Sequence, residues 1–420
     1  MQDSTNFSGT DTPAERLGIA ALTRAAFSGA DLGPVVDALM AALAQDPDNA
    51  AARMDLSVIE QLHGNPEVGL AHQAAALHHT QVFRTASTMP KSIKLLALAA
   101  PIHMGGNTPV EFLVEHSAIS VQTLYIGPDI PFPDPLPDHD IAFVVAPGDS
   151  DDSRAFLTEI NRRLVHWPRP VLNAPDKIIM LERDRCETAL SGIGGLTLPI
   201  TKRCSREALT AIAQGELELY DILPHGRFPV VLRPVGAHAG RNLERLDSAG
   251  QIGAYLDICA DDDDFFLSDF IDYRSEDGAY RKYRIVFVDG RPYPCHMAIS
   301  DQWKVWYMNA DMAGSEGKRA EEERFMTRFD SGFAHRHAAA LSGMAQAFGL
   351  AYFGIDCAED RAGNLVLFEA DNALIVHDMD SPQIFPYKPA QMHRIFSGFA
   401  EMVTRKSFKR KIAPSMRFVG

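Results

Sequence analysis

The chain has 420 residues, 46% of them hydrophobic, enough for two or three domains with cores of their own. Forty Lys and Arg against fifty-five Asp and Glu give a formal charge of −15, which argues against a nucleic-acid-binding surface. No apolar run approaches the roughly 18–20 residues of a membrane span, so no membrane association is expected. Cys186, Cys204, Cys259, Cys295 and Cys357 have no close pairs, which disfavours both a disulfide framework and a thiolate zinc site. Met1–Thr12 is polar and lacks the layout of a secretion signal, so a cytoplasmic protein with reduced thiols is expected.

Residues 1–88 read as a helical module, with helices near 13–28, 31–45, 49–63 and 66–79. The breaker Asp46-Pro47-Asp48-Asn49, then Leu56, Gly64-Asn65-Pro66 and Ala71 to Leu77, resemble one tetratricopeptide repeat, a helix pair of about 34 residues. One repeat does not make a solenoid. A cap or docking module for a protein or peptide partner and a plain helical bundle both fit.

Residues 89–176 alternate strands and helices: Ile93–Ala99, a helix at 109–116, Val121–Ile126, Ile141–Ala146, a helix near 152–165, and Val171–Asn173. This predicts a small parallel α/β domain whose ligand face includes the loops Gly105–Thr108 and Pro147–Asp149. Pro128–Pro137 carries five prolines and reads as a surface loop. Neither a dinucleotide-binding glycine motif nor a P-loop occurs.

After a break at Gly192–Pro199 and a helix over 207–223, Pro229–Val235 reads as a strand and Gly236–Asn242 as a small-residue loop. Backbone amides in such a loop approach an anion closely, and Arg233, His238 and Arg241 bring positive charge beside it. A hairpin loop with solvated charges fits the same residues. A helix near 248–258 and a solvated acid run, Asp261–Asp264, come next. Strands follow at Phe265–Ile271, Tyr283–Val288, Arg291–Ser300 and Lys304–Asn309, then a mobile charged stretch at 311–324 and a helix at 331–348. On that helix His335 and His337 diverge and read as surface.

Ala351–Ala358 and Asn364–Ala370 predict an antiparallel pair around a short turn. With the turn near Ala362, Asp356 lies roughly opposite Glu369, both on one face, and Asp371 follows two residues on. Three carboxylates so placed repel one another unless neutralised, and hard oxygen ligands suit Mg²⁺. An edge hairpin with solvated carboxylates is the alternative. His377-Asp378-Met379-Asp380 follows as a candidate substrate loop, and Arg405–Lys411 is a basic segment in an acidic chain.

The order of these parts over residues 91–405 resembles the ATP-grasp carboxylate–amine ligases, in the branch of glutathione synthetase and the ligase that adds glutamate to a ribosomal protein. The resemblance implies an α/β and α+β multidomain protein: the helical tetratricopeptide-like module, a pre-ATP-grasp domain at 89–176, a central subdomain at 177–272 and a C-terminal subdomain at 273–420. It implies ATP and Mg²⁺ as cofactors and an amide bond formed through an acyl-phosphate. Arg233 takes the place of the family's ATP-contacting lysine, Gly236, His238 and Gly240 belong to the loop over the phosphates, and Arg185 replaces a second phosphate lysine. Asp269, Phe270 and Ile271 match the adenine hinge, and Arg284 the arginine at the transferred phosphoryl. Asp356 and Glu369 match the magnesium ligands, with Asp371 or Asn372 as the third. The implied substrates are a small-molecule or peptide carboxylate and an amine, and a homodimer is among the assemblies the reading allows. A related phosphoryl-transfer enzyme, or a catalytically inactive nucleotide-binding scaffold that recruits a partner through the helical module, are the rival readings.

Overall fold

The computed structural model describes residues 13–85, 92–148, 151–237 and 240–408, with Asp151 and Asp152 described for their backbone alone. The elements in order are β1 (Ala14–Arg16), α1 (Ile19–Phe27), α2 (Gly33–Gln45), α3 (Ala50–Leu62), α4 (Pro66–Leu77), β2 (Val82–Thr85), β3 (Ile93–Ala99), α5 (Val110–Val114), β4 (Ile119–Tyr125), β5 (Ile141–Val144), α6 (Asp151–Leu164) and β6 (Val171–Leu172). The six strands form one sheet in the order β1-β2-β4-β3-β5-β6. Its centre, β4-β3-β5-β6, is parallel. Leu95–Ala99 and Ile141–Val144 are buried throughout, as expected of parallel strands covered on both faces.

The four N-terminal helices form where the apolar spacing predicts them. Asn49 caps α3, its side chain accepting from the Ala52 N–H at 3.0 Å, so the Asp-Pro-Asp-Asn breaker both ends α2 and starts α3. Their satellite core is Leu22, Leu32, Val58 and Ile59. Two features differ from expectation: residues 14–16 are a strand rather than the start of a helix, and β1 and β2 bracket the helices and join the α/β sheet. Arg16 on β1, 3% exposed, is pinned by Glu111 of α5 at 2.8 Å. Strands this short carry too little period-two pattern to be read from sequence.

A linker of α7 (Pro175–Ile178), α8 (Arg183–Leu190) and β7 (Leu196–Thr197) leads to a second sheet. That sheet, in the order β10-β9-β11-β8, is built from β8 (Thr201–Ser205), α9 (Arg206–Gln214), β9 (Val230–Pro234), β10 (Glu244–Leu246), α10 (Ile252–Ile258) and β11 (Asp264–Asp269). It keeps a core of its own around Leu209, Val230, Leu232, Tyr255, Phe265 and Leu267. The helix expected over 207–223 stops at Gly215, which takes the left-handed conformation (φ 74°) that closes a helix.

The third sheet, β13-β12-β14-β15-β7, comprises β12 (Tyr280–Val288), β13 (Arg291–Ser300), β14 (Tyr352–Glu359) and β15 (Leu365–Asp371) with β7. Between β13 and β14 lie α11 (Glu316–Thr327), α12 (Phe333–Arg336) and α13 (Ala338–Phe348), and α14 (Lys388–Ser407) closes the described chain. The face of α14 carrying Met392, Ile395, Phe396, Phe399, Met402 and Val403 is buried. The Phe399 ring lies 5.6 Å from Phe143 on β5 and 5.5 Å from Tyr352 on β14, so the first and third sheets share one core.

Several expectations are corrected here. Lys304–Asn309 is not a strand: Tyr307–Asn309 is a 3₁₀ turn, the Asn309 side chain accepting from the Trp306 N–H at 3.1 Å. The stretch 311–324 holds most of α11, capped by Ser315 and anchored by buried Met326. The helix expected at 331–348 breaks at His337. That side chain is buried rather than on the surface, its Nε2 2.7 Å from Glu359 Oε1. No described helix is long and apolar enough to cross a membrane.

Asn173, at the end of β6, joins the first sheet to the third. With φ at 53°, its Oδ1 accepts from the Ala351 and Tyr352 N–H groups at 2.9 and 3.0 Å, and its Nδ2 donates to the Tyr352 carbonyl at 2.7 Å. Asn173→Ala strands these buried groups and leaves positive φ to a residue without the polar side chain that makes it tolerable, so a loss of about 3 kcal/mol is expected. Urea unfolding checks this; Asn173→Gly, which relieves only the backbone part, should recover less than half.

Candidate functional site

The predicted hairpin forms, and its register is the expected one: Asp356 on β14 pairs with Glu369 on β15, and Asp371 lies opposite Gly354. On the other side Asp356 pairs with Arg284 of β12, and Arg284 with His296 of β13. His296, Arg284, Asp356 and Glu369 therefore make one row across four strands, with bulges beside Arg284 and Asp356.

Asp356 is 2% exposed and fully engaged. Arg284 grips it with two nitrogens, Nε on Oδ1 at 2.8 Å and Nη2 on Oδ2 at 3.1 Å, while Lys282 Nζ reaches Oδ2 at 2.9 Å. Burial alone would raise the Asp356 carboxyl, but Arg284 and Lys282 outweigh it and hold it far below the usual carboxylate range. Glu369 is likewise held down against its burial by Arg183 and Arg233, and Arg183 Nη2 lies 2.5 Å from its Oε1.

The second wall belongs to the four-stranded sheet. Arg203 of β8, Phe266 of β11 and Arg233 of β9 are in register, and the Arg203 guanidinium stacks 5.3 Å from the Phe266 ring centre. Arg233 donates to the Ala237 carbonyl, folding the strand end against the following loop, where Gly236 sits at φ 72°. A cleft lined by Glu182, Arg183, Arg233, Gly236, Glu369 and Asp371 lies between the walls. At its floor Glu182, 6% exposed, is gathered by Arg154, by Arg203 at 2.5 Å and by Arg185 at 3.6 Å.

The sequence-derived candidates divide accordingly. Arg233, Gly236, Glu369, Asp371 and Asn372 line the cleft, and Arg284 and Asp356 stand behind it in the row. Arg185 is half exposed and turned to Glu182, and Arg183, two residues earlier, takes the cleft position. Asn372, 1% exposed, gives its amide to the Ala146 carbonyl at 3.0 Å while its own carbonyl accepts from Thr108 at 2.7 Å. It fastens the hairpin to the first sheet, and Asp371 keeps the in-register position. Asp269, Phe270 and Ile271 cross from the second sheet towards the third: the Asp269 N–H donates to Ile200 at 3.1 Å, and Phe270 lies under Arg245 and against Trp303. Gly240 (φ 73°) ends the loop near Lys304, and His238 lies outside the described residues.

Sequence reading missed Arg183, Lys282 and a neighbouring buried cluster. In that cluster Lys388 Nζ lies 2.8 Å from Asp380 and 3.4 Å from Glu322, over the rings of Tyr307 and Phe385. Tyr307 in turn packs 4.7 Å from His296, joining the cluster to the row. Lys282 carried a signal, since period two puts it on the face of Arg284; Glu322 and Lys388 lie too far apart in sequence to carry one.

Neither a protein-family model nor any curated protein matches the sequence. Solved structures do show similarity. A RimK-domain ATP-grasp protein from Sphaerobacter thermophilus is 15% identical, over 74% of this chain and 99% of that one, with a TM-score of 0.43. The ATP complex of D-alanine–D-alanine ligase from Bacillus anthracis is 11% identical, over 75% and 97%, at 0.44. The D-cycloserine synthetase DcsG is 14% identical, over 74% and 99%, at 0.41.

Removing the Asp356 charge leaves Arg284 and Lys282 without their shared anion, so Asp356→Asn is expected to cost about 3 kcal/mol near neutral pH. The native carboxyl ionises far below its unfolded value of about 3.9. Its contribution is therefore complete above that value and is lost as pH falls below it. Denaturant titrations from about pH 7 to about pH 3 should show the gap between wild type and variant narrowing.

Proposed function

We propose that this chain is an ATP- and Mg²⁺-dependent ligase that joins a carboxylate to an amine through an acyl-phosphate. The observation that carries the reading is the opposition, across one cleft, of a carboxylate row on one antiparallel sheet and an arginine-bearing strand and glycine loop on another. In this reading 177–272 and 273–420 are the two halves that enclose the nucleotide, 89–176 precedes them, and 1–88 is a helical module for a partner.

The donor set suits the metal. Glu369 and Asp371 offer hard oxygens at the cleft with Asp356 behind them in the row, and cationic side chains now gather where such a charge would sit. Mg²⁺ held there would neutralise the phosphate oxygens brought against the row.

The chain's own groups do the rest. Arg183 and Arg233 face phosphate oxygens from the cleft wall, and a phosphate taking Arg183 releases Glu369 from its ion pair. Arg284, held by two hydrogen bonds to Asp356, presents its remaining donor, Nη1, which lies 3.5 Å from the Ile375 carbonyl, toward negative charge developing on the transferred phosphoryl group and the tetrahedral adduct. The substrate carboxylate oxygen takes the γ-phosphoryl with ADP leaving; the amine then adds to the acyl carbon and phosphate departs. Gly236–Gly240 would cover the site and keep water from the acyl-phosphate.

Phosphate release from ATP and Mg²⁺, measured across a pool of amino acids and short peptides, tests the reading. Wild type should turn over with at least one carboxylate–amine pair. Glu369→Ala should lose about 100-fold or more, and Arg233→Ala should chiefly raise the KM for ATP. Equal rates for wild type and Glu369→Ala would remove the metal role assigned to the row, and a wild type silent in every combination would favour the nucleotide-binding scaffold.

A further inference from the structure

A second cluster stands apart from the cleft. His116, just after α5, Asp378, in the loop following β15, and His393, on α14, each offer one ligand atom, and these atoms lie within 4.8 Å of one another. His393 Nε2 is 3.6 Å from Asp378 Oδ2, and the two imidazole rings are 5.9 Å apart. In a tetrahedral zinc site with bonds of about 2.0–2.1 Å, neighbouring donors stand about 3.3–3.4 Å apart. The His393–Asp378 edge is already near that length, and both histidines are exposed enough to close the rest by side-chain rotation.

The carboxylate is prepared for this. Asp378 is only 11% exposed at its side chain, and its other oxygen, Oδ1, accepts from Arg24 of α1 at 2.7 Å. Arg24 is itself held by Glu115 at 2.6 Å, next to His116 in sequence. An outer-shell donor that fixes one carboxylate oxygen leaves the other aimed at the histidines, which is how metal-ligating carboxylates are commonly oriented. Two imidazoles and one carboxylate select a borderline divalent cation over Mg²⁺ or Ca²⁺, which prefer oxygen alone.

We propose that His116, Asp378 and His393 form a zinc-class site, with the fourth position left to water. A cation there ties three elements together: α5 of the first sheet, the loop running from Asp371 and Asn372 of the hairpin, and α14. Through Arg24 it also fastens the N-terminal helices to that loop. It acts as a clamp on the segment between the candidate cleft and Lys388, and it does not depend on the ligase reading.

Co²⁺ titration of the full chain, followed by visible absorption, tests it. One equivalent should bind with the intense d–d bands of tetrahedral coordination, persist in millimolar Mg²⁺, be displaced by Zn²⁺, and survive Glu369→Ala unchanged. His116→Ala and His393→Ala should each weaken binding at least tenfold, and Zn²⁺ should raise the Tm of wild type but not of the double variant. The proposal is overturned if wild type binds no Co²⁺ tetrahedrally, or if the double variant binds it with the same stoichiometry and spectrum.

Discussion

A carboxylate buried in a sheet survives only if something of opposite charge is buried with it, and Asp356 is where this molecule meets that requirement. At 2% exposure its desolvation would favour the neutral acid, yet Arg284 and Lys282 take both oxygens and keep it ionised. The register of β12, β14 and β15 fixes where these groups meet, because a one-residue slip would turn each of them to the opposite face. The cleft inherits its charge layout from that row: Glu369 sits next in line, with Arg183 of α8 paired to it and Arg233 acting on it from the facing wall.

The hairpin and its pairing were legible because a strand pair around a tight turn is a local object. Period two and the turn residues between Glu359 and Leu365 bring Asp356 to within one residue of Glu369, and the bulge beside Asp356 completes the pairing. The parallel strands of the first sheet were legible for a related reason, since burial on both faces leaves continuous apolar runs. Elements whose existence depends on distant partners were not. Lys304–Asn309 looks like a strand by composition, but Tyr307 is drawn to Lys388, and the tertiary contact overrides the propensity. His337 reads as helix surface until Glu359, on another element, supplies its partner.

The same division runs through the site. Arg233 stood out by its place between a strand and a glycine loop, and Arg284 only through the family resemblance. The way Arg183 and Arg185 turn depends on how α8 starts, and Asn372, which borders the cleft beside Asp371, is held by Thr108 and Ala146 from the first sheet. Sequence spacing gives position along an element; which neighbour a polar group answers to is decided by packing.

The four-stranded sheet keeps its own core, while the first and third sheets share theirs through α14. The ion pair of Arg183 and Glu369 belongs to α8 and β15, outside the four-stranded sheet. The four-stranded sheet thus has packing of its own to lose. Hydrogen exchange would register this as amides of the small sheet whose opening energy is their own rather than that of the larger core.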